Sequence, residues 1–327
     1  MRISQFGIFF VIVFGFVPNA FADPELGLHK LAIMNGQVAS DSEYSAVVSL
    51  AIESGDMLYS YCSGVLIRNN VVLTAAHCME NEDGFDFEQF YRAGKIRVAM
   101  GTHIDSRFNT SSYGITHIVA HPEYYQNHHD LALVFLDSEV PITEAEPIDV
   151  YMDKTRLRSF AMNRQSVDFV GYGMDEDDNG GNRQKVGGEI SAYCPNAVND
   201  CGVTVASKEY VSFFPGTILH EIQSGGPCRG DSGAPVILRN NTGLHVIGIV
   251  SYGDAECKLY SVSVSVPDHL DWIQREMNDE EREEGVGCSS LPLRDRWNLS
   301  AFILLILLCG LSFFRKKNQL SIANNCH

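Results

Sequence analysis

Pro227-Cys228-Arg229-Gly230-Asp231-Ser232-Gly233-Ala234-Pro235 is the stretch on which the reading of this chain turns. Glycines on either side of Ser232 read as a tight turn that lets another backbone approach the hydroxyl with no side chain between them. A serine is a poor nucleophile at its own pKa. Such a turn does chemistry only with a base in hydrogen-bond reach and a carboxylate to orient that base. Taken alone, the stretch is equally readable as a glycine-rich turn with no chemistry.

Two other segments supply the missing groups. Thr74-Ala75-Ala76-His77-Cys78 sets a histidine after the β-rich Val71-Val72-Leu73, and Asp130-Leu131-Ala132-Leu133 sets an aspartate at the head of an apolar strand. Each is bland by itself: most of the eleven histidines are expected at the surface, and an aspartate opening a strand is ordinarily a turn residue. Their joint occurrence, in the order His, Asp, Ser at separations of roughly fifty and one hundred residues, overturns that reading. The three motifs resemble those of the chymotrypsin-like serine proteases, and the resemblance runs from about Ile33 to Asn278. It implies an all-β fold of two packed six-stranded antiparallel β-barrels with a C-terminal helix and a catalytic cleft between the barrels. In it His77 is general base and acid, Asp130 its orienting carboxylate, and Ser232 the nucleophile. The amides of Gly230 and Ser232 form the oxyanion hole, where one donor is worth about 3 to 4 kcal/mol of barrier.

The same resemblance implies further assignments. Ser251-Tyr252-Gly253 is similar to the edge that pairs with an extended substrate, and Gly171-Tyr172-Gly173 to a segment between the barrels. Gly226 stands at the pocket floor and Ser261 on its opposite wall. With no acid from Gln223 to Arg229, small or apolar residues are expected before the cut rather than arginine or lysine. Disulfides Cys62–Cys78 and Cys228–Cys257 follow from the resemblance. Cys194 and Cys201 have no counterpart in it, but their spacing permits a local bridge. A freed amine at Ile33 is expected to pair with Asp231, although Leu31-Ala32 replaces the usual basic residue before the cut, so the activating protease is open. His129 stands where asparagine usually precedes the triad aspartate, and Ala234 where glycine is usual.

Between the ends, strand signals dominate, at 45–52, 95–100, 114–120, 130–136, 167–173 and 244–251. Alternation of serine and valine over 261–266 predicts a strand with one buried face. A single helix is expected from about Asp268, with Leu270, Ile273 and Met277 along one side and Asp268 as its cap.

The two ends carry sorting signals. Arg2, an apolar run and Ala20-Phe21-Ala22 read as a signal peptide over 1–22, followed by a short propeptide over 23–32 and a protease domain over 33–278. A flexible linker is expected over 279–296, then an apolar span over 297–314 and a basic tail over 315–327 that begins Arg315-Lys316-Lys317. The span makes about 27 Å of helix, close to the hydrocarbon thickness of a bilayer. This order also resembles bacterial C-terminal sorting signals. Export places the nine cysteines in an oxidising compartment, at the periplasm, cell surface or outside the cell.

A net charge of −17 argues against nucleic acid as a partner. Protein or peptide substrates, an activating protease and a membrane are the expected partners, with no cofactor and no metal; no His-Glu-x-x-His run is present. The competing reading is a catalytically inactive binding protein on the same scaffold, tethered to the membrane. An intact set of His77, Asp130 and Ser232 argues against it.

Overall fold

The computed structural model describes residues 33–285, apart from 34, 40, 82–85, 174–180, 197, 199–200, 207–208 and 224. The expected leader, the propeptide, the acidic run at 175–178 and everything from 286 onward, including the apolar span and the basic tail, lie outside the described residues.

After a two-residue strand, β1 (Gln37–Val38), the first barrel is built from β2 (Val47–Ser54), β3 (Met57–Arg68), β4 (Val71–Thr74), β5 (Ile96–Met100), β6 (Ser111–Tyr113), β7 (Ile115–Ala120) and β8 (Ala132–Leu136). Their order across the sheet is β6-β5-β2-β3-β4-β8-β7, antiparallel throughout. β6 and β7 are one run of chain interrupted at Gly114, so the two ends of this order are covalently continuous and the sheet closes on itself as six staves.

The second barrel repeats the device. β9 (Asp149–Val150) joins its rim, and β10 (Ser166–Gly171), β11 (Gln184–Glu189) and β12 (Ala192–Cys194) follow. A side hairpin, β13 (Cys201–Val205) and β14 (Glu209–Phe213), precedes β15 (Thr217–Glu221), β16 (Pro235–Asn240), β17 (Gly243–Gly253) and β18 (Tyr260–Ser265). The order is β1-β11-β10-β16-β17-β18-β15-β12, and β11 and β12 are again one run, broken at Ile190-Ser191, whose halves pair with the two sides of the closure. Closure removes the exposed edges that open sheets leave. The fold is the all-β two-barrel architecture that the resemblance implied.

Three details depart from the sequence reading. The Ser-Val alternation of β18 buries both faces: Ser261, Ser263 and Ser265 are as enclosed as Val262 and Val264. Two of the hydroxyls are satisfied inside, Ser263 Oγ donating to His220 Nε2 (2.8 Å) and Ser265 Oγ to Asp268 (2.7 Å), which removes the penalty that would push them to solvent, while Ser261 lines the cavity beside Ser232. Asp268 is thereby engaged in a 3-10 turn (Val266–Asp268), and the helix itself spans Leu270–Gly285 with Trp272, Ile273 and Met277 buried. The helix thus runs past Asn278 into the expected linker, because the Glu- and Arg-rich sequence there has high helix propensity.

Short helices at Asp41–Tyr44, Phe87–Arg92 and Leu157–Met162 also went unread. One had a legible signal. Asp86 accepts the N–H of Gln89 (3.0 Å), the capping pattern of an aspartate three residues before a glutamine.

Candidate active site

His77 lies in a 3-10 turn (Ala76–Met79) that begins immediately after β4, and Cys62 of β3 holds this turn through its disulfide to Cys78. Asp130 is fully buried just before β8, the strand paired with β4, so antiparallel pairing brings two motifs 53 residues apart into contact. The His77 backbone N–H donates to Asp130 Oδ1 (2.9 Å), and Nδ1 lies 2.7 Å from Oδ2. Ser251 Oγ donates to the same Oδ2 at 2.5 Å. Burial alone would raise the Asp130 pKa, but the facing His77 and these hydrogen bonds outweigh it and hold the carboxyl below its ordinary value. An ionised carboxylate only accepts, so Nδ1 carries the proton and Nε2 keeps its lone pair.

The loop that carries Ser232 is held by β3 and the His77 turn of the first barrel. Ser63 N–H donates to the Ser232 carbonyl (2.8 Å), and the Cys78 sulfur lies 3.7 Å from the same oxygen. Ser63 Oγ donates to the Gly230 carbonyl (3.2 Å) and accepts the Tyr172 N–H (2.9 Å), joining the loop to the segment between the barrels. Gly233, at φ +80°, has no room for a side chain: a Cβ there would meet Thr74 Oγ1, the Ser63 carbonyl and the Ala75 amide. Ser63 is a positioning residue that the sequence reading missed, since only the docking of the two barrels gives its hydroxyl a role.

Within the loop the amides are divided. Asp231 N–H donates to Cys228 O (3.1 Å), Gly233 N–H to Val250 O (2.9 Å) and Ala234 N–H to Asp231 O (2.9 Å). Among the described residues, the N–H groups of Gly230 and Ser232 have no partner. Two unengaged amides flanking a serine make a pair of donors for developing negative charge.

The Asp231 side chain turns inward, accepting the N–H of Gly173 (3.0 Å) and of Cys228 (3.1 Å). Glycines at 171 and 173 leave space for that carboxylate; a Cβ on Gly173 would lie 2.6 Å from Oδ2. Full burial pushes the Asp231 pKa up to about 7 against these two donors. Ile33 is also fully buried.

A cavity of about 270 Å³ opens beside Ser232. Cys228, bonded to Cys257, forms one wall with Arg229, and Ser251, Tyr252, Gly253 and Ser261 form others. Gly226 is buried next to the lining residue Pro227, and a Cβ there would lie 2.6 Å from Cδ1 of Ile222. The lining also includes an acid that the sequence reading did not place there, Asp254. Its carboxylate accepts the N–H groups of Glu256 (3.2 Å), Lys258 (3.1 Å), Leu259 (2.8 Å) and Tyr260 (3.0 Å). Burial works against ionisation, but these amides win and lower its pKa. Asp254 therefore shapes the loop as an ionised carboxylate whose oxygens face backbone N–H groups, whereas Arg229 is exposed and has no ion-pair partner among the described residues.

All three expected disulfides form, with Cys194–Cys201 closing the base of the side hairpin at a Cα separation of 5.6 Å. They mark an oxidising, extracellular setting. No described helix is long and apolar enough to cross a membrane.

Residues 33–273 match the family model described as Trypsin. The chain is 28% identical to CLIP domain-containing serine protease B10 of Anopheles gambiae, over 79% of this chain and 73% of that protein. It is 26% identical to chymotrypsin-like elastase family member 1 of Macaca fascicularis, over 74% of this chain and 88% of that protein. The proclotting enzyme of Tachypleus tridentatus is 27% identical, over 78% of this chain and 69% of that protein.

Proposed function

This chain belongs to the trypsin family and is a serine-type endopeptidase, and we propose that it cuts after small or apolar residues, through Ser232, His77 and Asp130, once cleavage before Ile33 has activated it. The observation that carries the catalytic assignment is the free amide pair of Gly230 and Ser232, in a loop that Ser63 ties to the His77 turn. Ser232 Oγ attacks the scissile carbonyl while His77 Nε2 takes its proton, and Asp130 holds the ring in that tautomer and stabilises the imidazolium. The oxyanion forms against the two amides, His77 returns the proton to the leaving amine, and water repeats the sequence to release the acyl group.

Substrate lies extended along Ser251-Tyr252-Gly253, adding a strand to the edge of β17. Its side chain enters the cavity past Ser261. A basic residue there meets the exposed Arg229, and the one carboxylate among the described lining residues, Asp254, has its oxygens turned to four backbone amides. The Gly226 position, without a carboxylate, agrees with this.

Activation frees an amine at Ile33 that pairs with Asp231, whose buried carboxylate accepts the neutral N–H groups of Gly173 and Cys228 among the described residues. The protein is secreted, and the apolar span at 297–314 tethers it to a membrane or serves as a sorting signal of the bacterial type; both readings of the span rest on its sequence pattern alone.

A fluorophosphonate probe should label Ser232 in the activated protein, and a peptide library should be cut after alanyl, leucyl or phenylalanyl residues. Preferred cleavage after arginine or lysine refutes the pocket reading, and labelling of the Ser232→Ala protein refutes the nucleophile. Full-length protein should fractionate with membranes while a chain ending at Gly285 stays soluble and active; a soluble full-length chain with an intact tail refutes the tether.

A further inference from the structure

Three histidines converge behind the triad, and no step of peptide hydrolysis uses them. His121 follows β7, His129 ends the turn that returns the chain to β8, and His269 lies between the 3-10 turn and the last helix, 140 residues from His129. One nitrogen from each lies within 4.8 Å of the others. His129 Nδ1 and His269 Nε2 are 2.9 Å apart, and the rings of His121 and His129 stack with centroids 4.8 Å apart. The sequence reading expected most histidines at the surface and no metal. Among the described residues, only His103 and His117 are exposed, because docking of the last helix encloses this group.

The protonation pattern is legible. His269 Nδ1 donates to the Ser265 carbonyl (2.8 Å), which leaves a lone pair on Nε2 pointing at His129. His121 Nδ1 accepts the Glu123 N–H (3.2 Å), which places its ring proton on Nε2 in this tautomer. Glu123 Oε2 lies 3.8 Å from His129 Nε2, on the side where the ring N–H points when Nδ1 becomes a ligand. Burial first, and for His121 the neighbouring His269 and His129, disfavour the imidazolium forms, bringing His121 down to about 4 and lowering His129 and His269. His129 Nδ1–H therefore donates to His269 Nε2, and once His129 gives up that proton one nitrogen from each of three neutral imidazoles faces the others, the ligand set of an open zinc site.

We propose that His121, His129 and His269 bind one borderline divalent cation, Zn²⁺ for preference, with water in the fourth position, and that filling this site slows the protease. Two nitrogens each about 2.1 Å from a tetrahedral ion are about 3.4 Å apart. The His129–His269 pair opens slightly to admit the ion, and His121 closes on it. His121 and His129 are partly exposed, which provides the entry path, while His269 anchors the buried side.

The link to catalysis is covalent and short. His129 precedes Asp130 and holds a left-handed conformation at φ +48°. Leu131 N–H donates to His129 O (2.7 Å), and His121 N–H donates to Leu131 O (2.9 Å), so two of the three ligands brace the chain around Asp130. Drawing His129 toward an ion shifts the peptide that carries the carboxylate holding His77.

The test titrates chelator-stripped full-length protein with ZnCl₂ in a calorimeter, and with CoCl₂ while the visible absorption of tetrahedral cobalt is recorded. One equivalent should bind with a tetrahedral cobalt spectrum, and His121→Gln and His269→Gln should each weaken binding by roughly tenfold or more. Peptidase activity should fall as the site fills, return with chelator, and persist in His121→Gln over the same zinc range. His121 is only partly buried, so that variant keeps its fold, whereas His269 is enclosed and its replacement also tests packing; circular dichroism checks both. Equal zinc affinity in the parent and His121→Gln, or a cobalt spectrum that is not tetrahedral, overturns the site and leaves a hydrogen-bonded packing network. Equal inhibition of parent and His121→Gln overturns the coupling. Repeating the titration on Ser232→Ala protein separates metal binding from the catalytic assignment, since binding should be unchanged there.

Discussion

Asp231 offers a direct measurement of what activation changes. In the uncleaved chain its carboxyl is fully buried among two amide donors, with a pKa raised from 3.8 to about 7. Between these values the native state retains a proton that the unfolded chain has lost, so stability is fullest below about pH 4 and declines as pH rises through 7. The shift is about three units at 1.36 kcal/mol each, or about 4 kcal/mol in total. The perturbation is Asp231→Asn, made in a Ser232→Ala background so that neither protein cuts itself. Asparagine has one carbonyl oxygen for the two donors of Gly173 and Cys228, which leaves a pH-independent loss of about 1 to 3 kcal/mol. The informative quantity is therefore the pH dependence of the difference between the two proteins, in which all other titrating groups cancel. Urea unfolding with disulfides intact, run from pH 4 to pH 8, should show the Asp231 protein losing about 4 kcal/mol relative to Asp231→Asn. Cleavage before Ile33 should abolish that slope, because an amine beside the carboxylate keeps it charged at neutral pH. A flat difference in the uncleaved proteins, or one that rises with pH, refutes the reasoning.

The remaining predictions concern the catalytic residues and their support. Ser232→Ala or His77→Ala should leave less than about one per cent of peptidase activity, since nucleophile and base act as a unit; active-site-titrated kinetics that retain more contradict the assignment. Ser251→Ala removes a donor 2.5 Å from Asp130 and should lower kcat/KM by about tenfold, with activity failing at higher pH on acidification because the carboxyl protonates more easily; an unchanged pH profile contradicts this. Gly233→Ala combines a left-handed φ with contacts on the Ser63 carbonyl and the Ala75 amide, so it should destabilise the protein by about 1 to 3 kcal/mol and abolish labelling of Ser232; a normally reactive variant would show that the loop is not wedged there.

The catalytic centre was legible in the chain because its motifs are local and each carries its own geometry. Gly230 and Gly233 announce the turn, and β4 and β8 announce themselves as apolar runs ending in His77 and Asp130. Where the sequence reading failed, the information was spread over distant segments. Nothing near Ser63 says that its hydroxyl meets Gly230 and Tyr172, 167 and 109 residues away. Asp254 differs, since its partners are amides two to six residues on, and only the folding of that loop turns the carboxylate back onto them.

By itself the sequence determined the class of fold, the proposed triad, the disulfide partners and the absence of a carboxylate from 223 to 229, through short motifs and the family resemblance they carry. The tertiary structure decided which polar groups are buried and what satisfies them. It closes one barrel across Gly114 and the other across Ile190-Ser191, encloses the serine face of β18 around His220, and brings His269 against His121 and His129. A one-dimensional pattern records that a side chain is polar. Only the packing of elements far apart in the chain determines whether water, another side chain or a metal ion completes its bonding.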